Sequence, residues 1–411
     1  MTRKSGLMYL NIAHFFDHFF LLIFPTAVIA IESDWDLTYG EALALGTYMY
    51  VAFAVATLPA GWLGDHLSRS KLISGFFIGC GSASMLTGLA SGPLGLAAGL
   101  ALLGVFTAIY HPVGLAMVTE LAERRGRALA INGVFGNMGL AGAALVTGLL
   151  AERFGWRSAF MAPGLISIVI GCVYAWQSKC RATDASSTNA SSNQHFIVND
   201  RAKQLRVFAV VLVAALFGGA VFNAVTVSLP KMFDERLLYS GVNLTQVGGY
   251  AALVFAVAAF AQLPVGDLLD RFGARSILIG LLVPQIGALF LIANTHGVIL
   301  IPVAMVLVLL LFAEIPISSW LLGHYVAPNW RARAFSVEYV LSLGMGAAIV
   351  PLIAWGHFSG YGFDKQYLIL AVSAGVVLAA AFFLPAWHHK ATRSLPESNV
   401  NIKHDPEISR T

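Results

Sequence analysis

Long stretches of this chain carry no charge, and that constrains the fold more than any other feature. From Leu72 to Thr119 there is no Asp, Glu, Lys or Arg at all. Over the whole chain only 11% of the 411 residues are charged and 58% are hydrophobic, whereas a soluble domain has about 25% charged residues. There is too little charge to clothe two or three water-soluble cores. The solvent around most of the chain is therefore lipid. A cytosolic enzyme, a disulfide-stapled secreted domain and a nucleic-acid-binding domain are excluded on that ground. Cys80, Cys172 and Cys180 have no metal-site spacing and read as filler. No cleavable leader is evident, because His14, Asp17 and His18 interrupt the first apolar run.

A membrane-crossing helix needs about 20 apolar residues. That rule predicts twelve spans, at 7–31, 41–62, 72–90, 94–119, 128–151, 159–177, 206–230, 244–265, 276–293, 297–323, 334–355 and 367–386. With the N-terminus in the cytoplasm, cytoplasmic segments hold 20 of the 25 Lys and Arg. The outer segments hold the other 5: Arg153, Arg157, Lys231, Arg236 and Lys365. That bias fits the positive-inside rule and an even number of spans. Every Lys and Arg is expected in a loop or tail. The predicted fold is an all-α integral membrane protein of twelve transmembrane helices, with both termini cytoplasmic, in the inner membrane of a bacterium.

Residues 178–205 are polar and aperiodic and read as a flexible cytoplasmic linker. They separate two pseudo-symmetric six-helix halves, 1–177 and 206–386, with a disordered tail at 387–411. The Asn189 sequon falls on the wrong side for glycosylation. The halves echo each other. Leu58-Pro59-Ala60-Gly61 with Asp65 recurs 205 residues later as Leu263-Pro264-Val265-Gly266 with Asp270. Arg125-Gly126-Arg127-Ala128 recurs as Arg331-Ala332-Arg333-Ala334, and Asp17 aligns with Asn223. Many transporters are built from such repeats, with the site at their interface near the midplane.

The stretch Gly61-Trp62-Leu63-Gly64-Asp65-His66-Leu67-Ser68-Arg69-Ser70-Lys71 resembles the loop 2–3 signature of the major facilitator superfamily. Gly266, Leu268, Asp270, Arg271 and Gly273 echo it, and Gly155-Trp156-Arg157 is also common in that family. Ile109-Tyr110-His111-Pro112 and Gly136-Asn137-Met138-Gly139 resemble, more weakly, the fosmidomycin-resistance-type exporters. The Gly-Pro motif of many exporters is missing from the fifth span, where Gly133, Gly136, Gly139 and Gly142 stand instead. The resemblance implies a conformational latch of Gly61, Asp65, Arg69, Lys71, Gly266, Asp270 and Arg271. In it Asp65 meets the start of the eleventh span and Asp270 the start of the fifth. It also implies that spans one, four, seven and ten line the central path.

Only Asp17, Glu314 and Glu338 of the 21 carboxylates fall well inside predicted spans. A charged carboxylate at a lipid-facing helix centre costs about 2.5–3.5 kcal/mol, so these residues face a cavity, pair or carry a proton. Asn11, His14 and His18 form one stripe of the first span, with Asp17 adjoining. His111 precedes a proline kink, Asn223 supplies the seventh span, and Glu314 and Ser318 supply the tenth. These residues and Glu338 are expected to share an aqueous path for proton and substrate. Phe15, Phe16, Phe19, Phe20 and Phe24 read as packing and lipid contact. His66, His195, His296, His357, His388, His389 and His404 fall in loops or tails and receive no role.

The expected function is secondary transport, with no enzymatic activity and no cofactor beyond the proton gradient. A neutral or cationic solute fits best, because no span offers a Lys or Arg to hold an anion, and export is slightly favoured. The alternatives are uptake of a small organic acid, or divalent-metal transport through His14, Asp17, His18 and His111. The partners are a small solute, protons and the bilayer, without nucleic acid, and the protein is expected to be a monomer.

Overall fold

The computed structural model describes residues 2–123, 125–179, 200–237, 241–326 and 328–386, without the side chains of 125–126, 179, 328–333 and 336. Helix accounts for nearly all of it. The N-terminal group comprises α1 (Arg3–Asp34), α2 (Tyr39–Ala44), α3 (Thr47–His66), α4 (Arg69–Gly88), α5 (Pro93–Thr107), α6 (Tyr110–Leu121), α7 (Arg125–Phe154) and α8 (Trp156–Lys179). The C-terminal group begins with α9 (Arg201–Val213), a π-helical segment (Ala214–Gly218) and α10 (Gly219–Arg236). It continues with α11 (Leu244–Ala259), α12 (Gln262–Ala293), α13 (Leu300–Tyr325), α14 (Pro328–Ser342), α15 (Gly346–Phe358) and α16 (Phe363–Ala381).

The protein is all-α and multi-pass. Among the described residues, ten helical stretches are long and apolar enough to cross a membrane. This is fewer than the twelve expected, for two physical reasons. The stretch Leu244–Ala293 runs on for 50 residues and takes in two expected spans. Its α12 part is broken at Gly273, with φ 74° and ψ 157°, a region that essentially only glycine enters. The other difference is α4, where Lys71 and several serines and glycines dilute the apolar run. Those small residues seat α4 against α8: Ser84 donates to the Phe160 carbonyl (2.7 Å) and Ser167 to that of Phe77 (2.8 Å).

Local chemistry sets where helices start and bend. Capping boxes of Thr38 with Glu41 and of Asn243 with Gln246 start α2 and α11. Prolines within helices lie at Pro25, Pro59, Pro163, Pro230, Pro284, Pro316 and Pro351. Each removes a ladder hydrogen bond. Some hydroxyls inside the bundle bond back to the preceding turn, as Thr57 does to the Phe53 carbonyl and Thr226 to that of Phe222. That satisfies them without water.

Helix α8 extends to Lys179, and α9 starts at Arg201, inside the stretch expected to be linker. Asp200 caps α9, and the Lys203 backbone N–H holds its carboxyl below the usual carboxylate range. Residues 180–199, with Cys180 and Asn189, and the tail from 387 lie outside the described residues.

Lys231 and Arg236 correct the expectation that every Lys and Arg lies in a loop. Both lie in α10 and are buried. Lys231 pairs with Glu32 and, at 3.0 Å, with Asp234. Arg236 donates to the carbonyls of Ile292 (2.8 Å) and Thr295 (3.2 Å). Each side chain thus finds, near a helix end, the acceptors that make its burial tolerable.

Candidate functional site

The core of the site is a face of α1. His14, Asp17 and His18 are buried, and Asp17 has no exposed surface. They meet His111 at the start of α6, where the turn Ala108–Ile109 interrupts the chain between α5 and α6. His111 Nε2 lies 3.1 Å from Asp17 Oδ2. The sequence places Asp17 beside His14, but its partner is the imidazole on α6. The rings of His14, His18 and His111 surround one another with centroids 4.9–5.5 Å apart.

Asn132 of α7 holds this arrangement. Its carbonyl lies 2.8 Å from His14 Nδ1. A carbonyl only accepts, so Nδ1 carries the hydrogen and Nε2 keeps its lone pair. The Asn132 side chain accepts from Tyr110 Oη (3.0 Å) and donates to Asn11 Oδ1 (3.0 Å) and the Leu10 carbonyl (3.3 Å). The Tyr110 ring stacks on His14 at 4.8 Å. Gly136 lets α7 come this close, since a Cβ there would lie 2.6 Å from His14 Nε2. Gly136, Gly139 and Gly142 thus seat α1, while Gly133 faces Gln262 of α12. Asn132 and Tyr110 were not singled out as site residues, although the polar Asn132 in an apolar helix was the available signal.

The C-terminal group covers the cluster from the other side. The Tyr339 ring of α14 lies 5.4 Å from that of His111. Asn223 donates to the carbonyls of Gly219 (2.8 Å) and Ser342 (2.9 Å), just past the π-helical segment. A cavity of about 20 Å³ separates the two groups, lined by His18, Tyr50, Phe53, Asn223 and Thr226 among others. That is room for about one water. Beside His18 this void is much smaller than the shared aqueous path expected from sequence. Glu314 Oε1 in α13 is buried with no hydrogen-bond partner among the described residues. Glu338 is buried beside Tyr339, and Ser318 is half-buried in α13. Phe16, Phe19, Phe20 and Phe24 are buried packing.

The two ends of the bundle differ. At the Asp34 end the groups are joined by Lys231 to Glu32, by the Thr245 backbone N–H donating to Glu152 (2.6 Å), and by the Tyr39 and His357 rings 4.8 Å apart. His357 is thus a helical residue of α15, not a loop residue, because that helix runs on to Phe358. Here α7 and α11 touch through Gly148 and Gly248; a Cβ on Gly248 would stand 2.3 Å from the Ala144 carbonyl. Trp156 and Arg157 hold Asp34 at 2.9 and 3.3 Å.

At the other end, Asp65 pairs with Arg69 at 3.8 Å, and Arg69 also pairs with Glu120. Asp270 accepts from Trp320 Nε1 at 2.9 Å. A Cβ on Gly61 would make ordinary contact with Pro112, Gly266 faces open space, and Lys71 and Arg271 are exposed. Among the described residues, these contacts of Asp65 and Asp270 stay within their own groups. The side chains at the starts of α7 and α14, where latch partners are expected, lie outside the described residues.

Known proteins show the same organisation. A "Putative metabolite transport protein" of Haemophilus influenzae is 22% identical over 394 residues, covering 91% of this chain and 94% of its own. A "Gallate transporter" of Pseudomonas putida is 23% identical, covering 93% of this chain and 91% of its own. A crystal structure of a bacterial homolog to the human lysosomal transporter Spinster, inward-facing and occupied, superposes with a TM-score of 0.68 at 17% identity. It covers 93% of this chain and 94% of the other. These likenesses agree with a membrane transporter of small organic solutes and not with an enzyme. The profile described as Major Facilitator Superfamily matches residues 10–351, and the chain belongs to that family.

Proposed function

We propose that the protein couples proton movement to transport of a small organic acid, by alternating access between two six-span halves joined by a linker at 178–205. The observation that carries the reading is the cluster of Asp17, His14, His18 and His111, buried in α1 and α6 where α10 and α14 cover it. Imidazoles can donate to a carboxylate or phenolic oxygen without the permanent charge of Lys or Arg. The relative named for gallate supports an acidic aromatic solute. Glu314 serves as the proton site, being a carboxyl inside a span with an unpartnered oxygen. The twelve-span count, cytoplasmic termini and a latch at Asp65 and Asp270 belong to the same reading.

Proteoliposomes under an imposed pH gradient test it. Parent protein accumulates the acid. Glu314→Gln loses gradient-driven accumulation and keeps solute counterflow. Accumulation by Glu314→Gln at the parental level overturns the coupling.

A second reading, export of a cationic solute, is favoured by Asp17, the carboxylate at the centre of the cluster. Counterflow with organic cations instead of aromatic acids, lost in Asp17→Asn, would select it.

A further inference from the structure

The three imidazoles of α1 and α6 have a geometry that solute binding alone does not require. One ring nitrogen from each of His14, His18 and His111 lies within 4.8 Å of the other two, and all three residues are buried. Three imidazolium ions this close repel strongly. Three neutral rings instead bring three potential donor nitrogens to one place.

One ring has the support that ligating histidines use, an acceptor on the nitrogen that does not bind the metal, and a second has a carboxylate close beside it. His14 gives its Nδ1 hydrogen to the Asn132 carbonyl, which leaves Nε2 as the donor atom, buried and unpartnered. Asp17 Oδ2 stands 3.1 Å from His111 Nε2 without a hydrogen bond in this geometry, and both ring nitrogens of His111 are buried and unpartnered. His18 borders the small cavity between the groups, where a fourth position can open. Tetrahedral coordination with bonds of about 2.0–2.1 Å puts ligand nitrogens about 3.4 Å apart. Closing from 4.8 Å needs about 1.4 Å, within reach of a side-chain rotation.

We propose that His14, His18 and His111 form a binding site for a divalent transition-metal ion, with Asp17 and the Asn132 carbonyl orienting two of its three ligands. An all-imidazole donor set selects zinc, cobalt, nickel or copper over magnesium and calcium. Both helices belong to the N-terminal group, so the ion does not staple the groups together. It occupies the face of α1 that the solute would approach and competes with it there. The site does not depend on the transport reading, because its readout is metal binding by the protein at rest.

The test uses full-length protein, purified through a tag without histidines, stripped with chelator and titrated with Co²⁺. One equivalent is expected to give the intense visible d–d bands of tetrahedral nitrogen coordination, displaced by Zn²⁺ but not by Mg²⁺. His18→Gln, which breaks no hydrogen bond named in the cluster, is expected to lose the bands while eluting as a monodisperse species like the parent. Asp17→Asn keeps the bands and weakens binding by about 10–100-fold, the usual effect of removing an orienting group. Control variant His66→Gln, at the far end of α3, binds as the parent does. Absence of the bands in the parent, or bands that persist in both His14→Gln and His18→Gln, would overturn the site. A failure of proton-driven transport would leave the titration untouched, so the two readings fail separately.

Discussion

Lys231 of α10 and Glu32 of α1 form an ion pair across the two groups of helices, with both side chains largely buried. Asp234 shares the same ammonium at 3.0 Å, and the Tyr39 ring lies 5.3 Å from it. One lysine therefore neutralises a carboxylate from each group at the end where the groups meet.

Removing it leaves Glu32 and Asp234 facing each other without a cation. Breaking a buried pair on one side costs about 3–5 kcal/mol, here borne by the closed arrangement. Lys231→Met is expected to raise the labelling rate of a cysteine placed at buried Ala42 by at least about tenfold, each tenfold being about 1.4 kcal/mol. An impermeant maleimide on a cysteine-free background measures it. The charge swap of Glu32→Lys with Lys231→Glu is expected to recover part of the protection. Equal rates in the parent and Lys231→Met would show that the pair does not hold this end shut.

Gly148 and Gly248 let α7 and α11 approach to backbone contact. Gly248→Val puts carbon where the Ala144 carbonyl stands, so the helices must separate. Counterflow is expected to fall at least about tenfold with the protein still inserted and monodisperse. Gly249→Val faces open space and is expected to transport normally. Similar losses in both variants would mean that bulk alone, not the contact, is responsible.

Asn132 is a test of positioning rather than of solute contact. Asn132→Leu removes the shared partner of the Tyr110 hydroxyl and the part-buried Asn11, while Tyr110 keeps its bond to the Leu10 carbonyl, a loss of about 1 kcal/mol. The expected result is a lower thermal midpoint together with a raised KM, because His14 is no longer stacked in place. Tyr110→Phe removes one hydroxyl and is expected to lie between Asn132→Leu and the parent. An Asn132→Leu protein with parental melting and KM would contradict the role.

Gly273 is the backbone break in α12, and its φ of 74° with ψ of 157° suits no side chain. Gly273→Ala is expected to cost about 1–3 kcal/mol, read as a lowered melting midpoint in detergent. Gly266→Ala, in a helical stretch with open space around it, is expected to match or exceed the parent. If Gly273→Ala melts with the parent, the break is not set by that residue.

The sequence was most legible where lipid is the solvent. Apolar runs and their polar gaps located the helices, because backbone groups in hydrocarbon must bond within a segment. The polar stripe of α1 was legible for the same reason. Partners across helices were not. Asp17 reads as a neighbour of His14 along the chain, yet the chain turn at Ala108–Ile109 brings His111 to it. Lys231 was placed in a loop, because hydropathy does not reveal that Glu32, 199 positions away, will meet it. Nor does a glycine count tell which glycines carry contacts: Gly136 and Gly248 are in close contact, while Gly249 is not.

Among the described residues, the Asp34 end carries cross-group polar contacts of Lys231 with Glu32 and of Thr245 with Glu152, beside the close approach of Gly148 and Gly248. A blocker too large to slip past Gly148 and Gly248 should therefore act with sidedness. Trapped inside right-side-out vesicles or added outside them, the same compound would inhibit from one compartment and be inert in the other. Turning the vesicles inside out would exchange the two results.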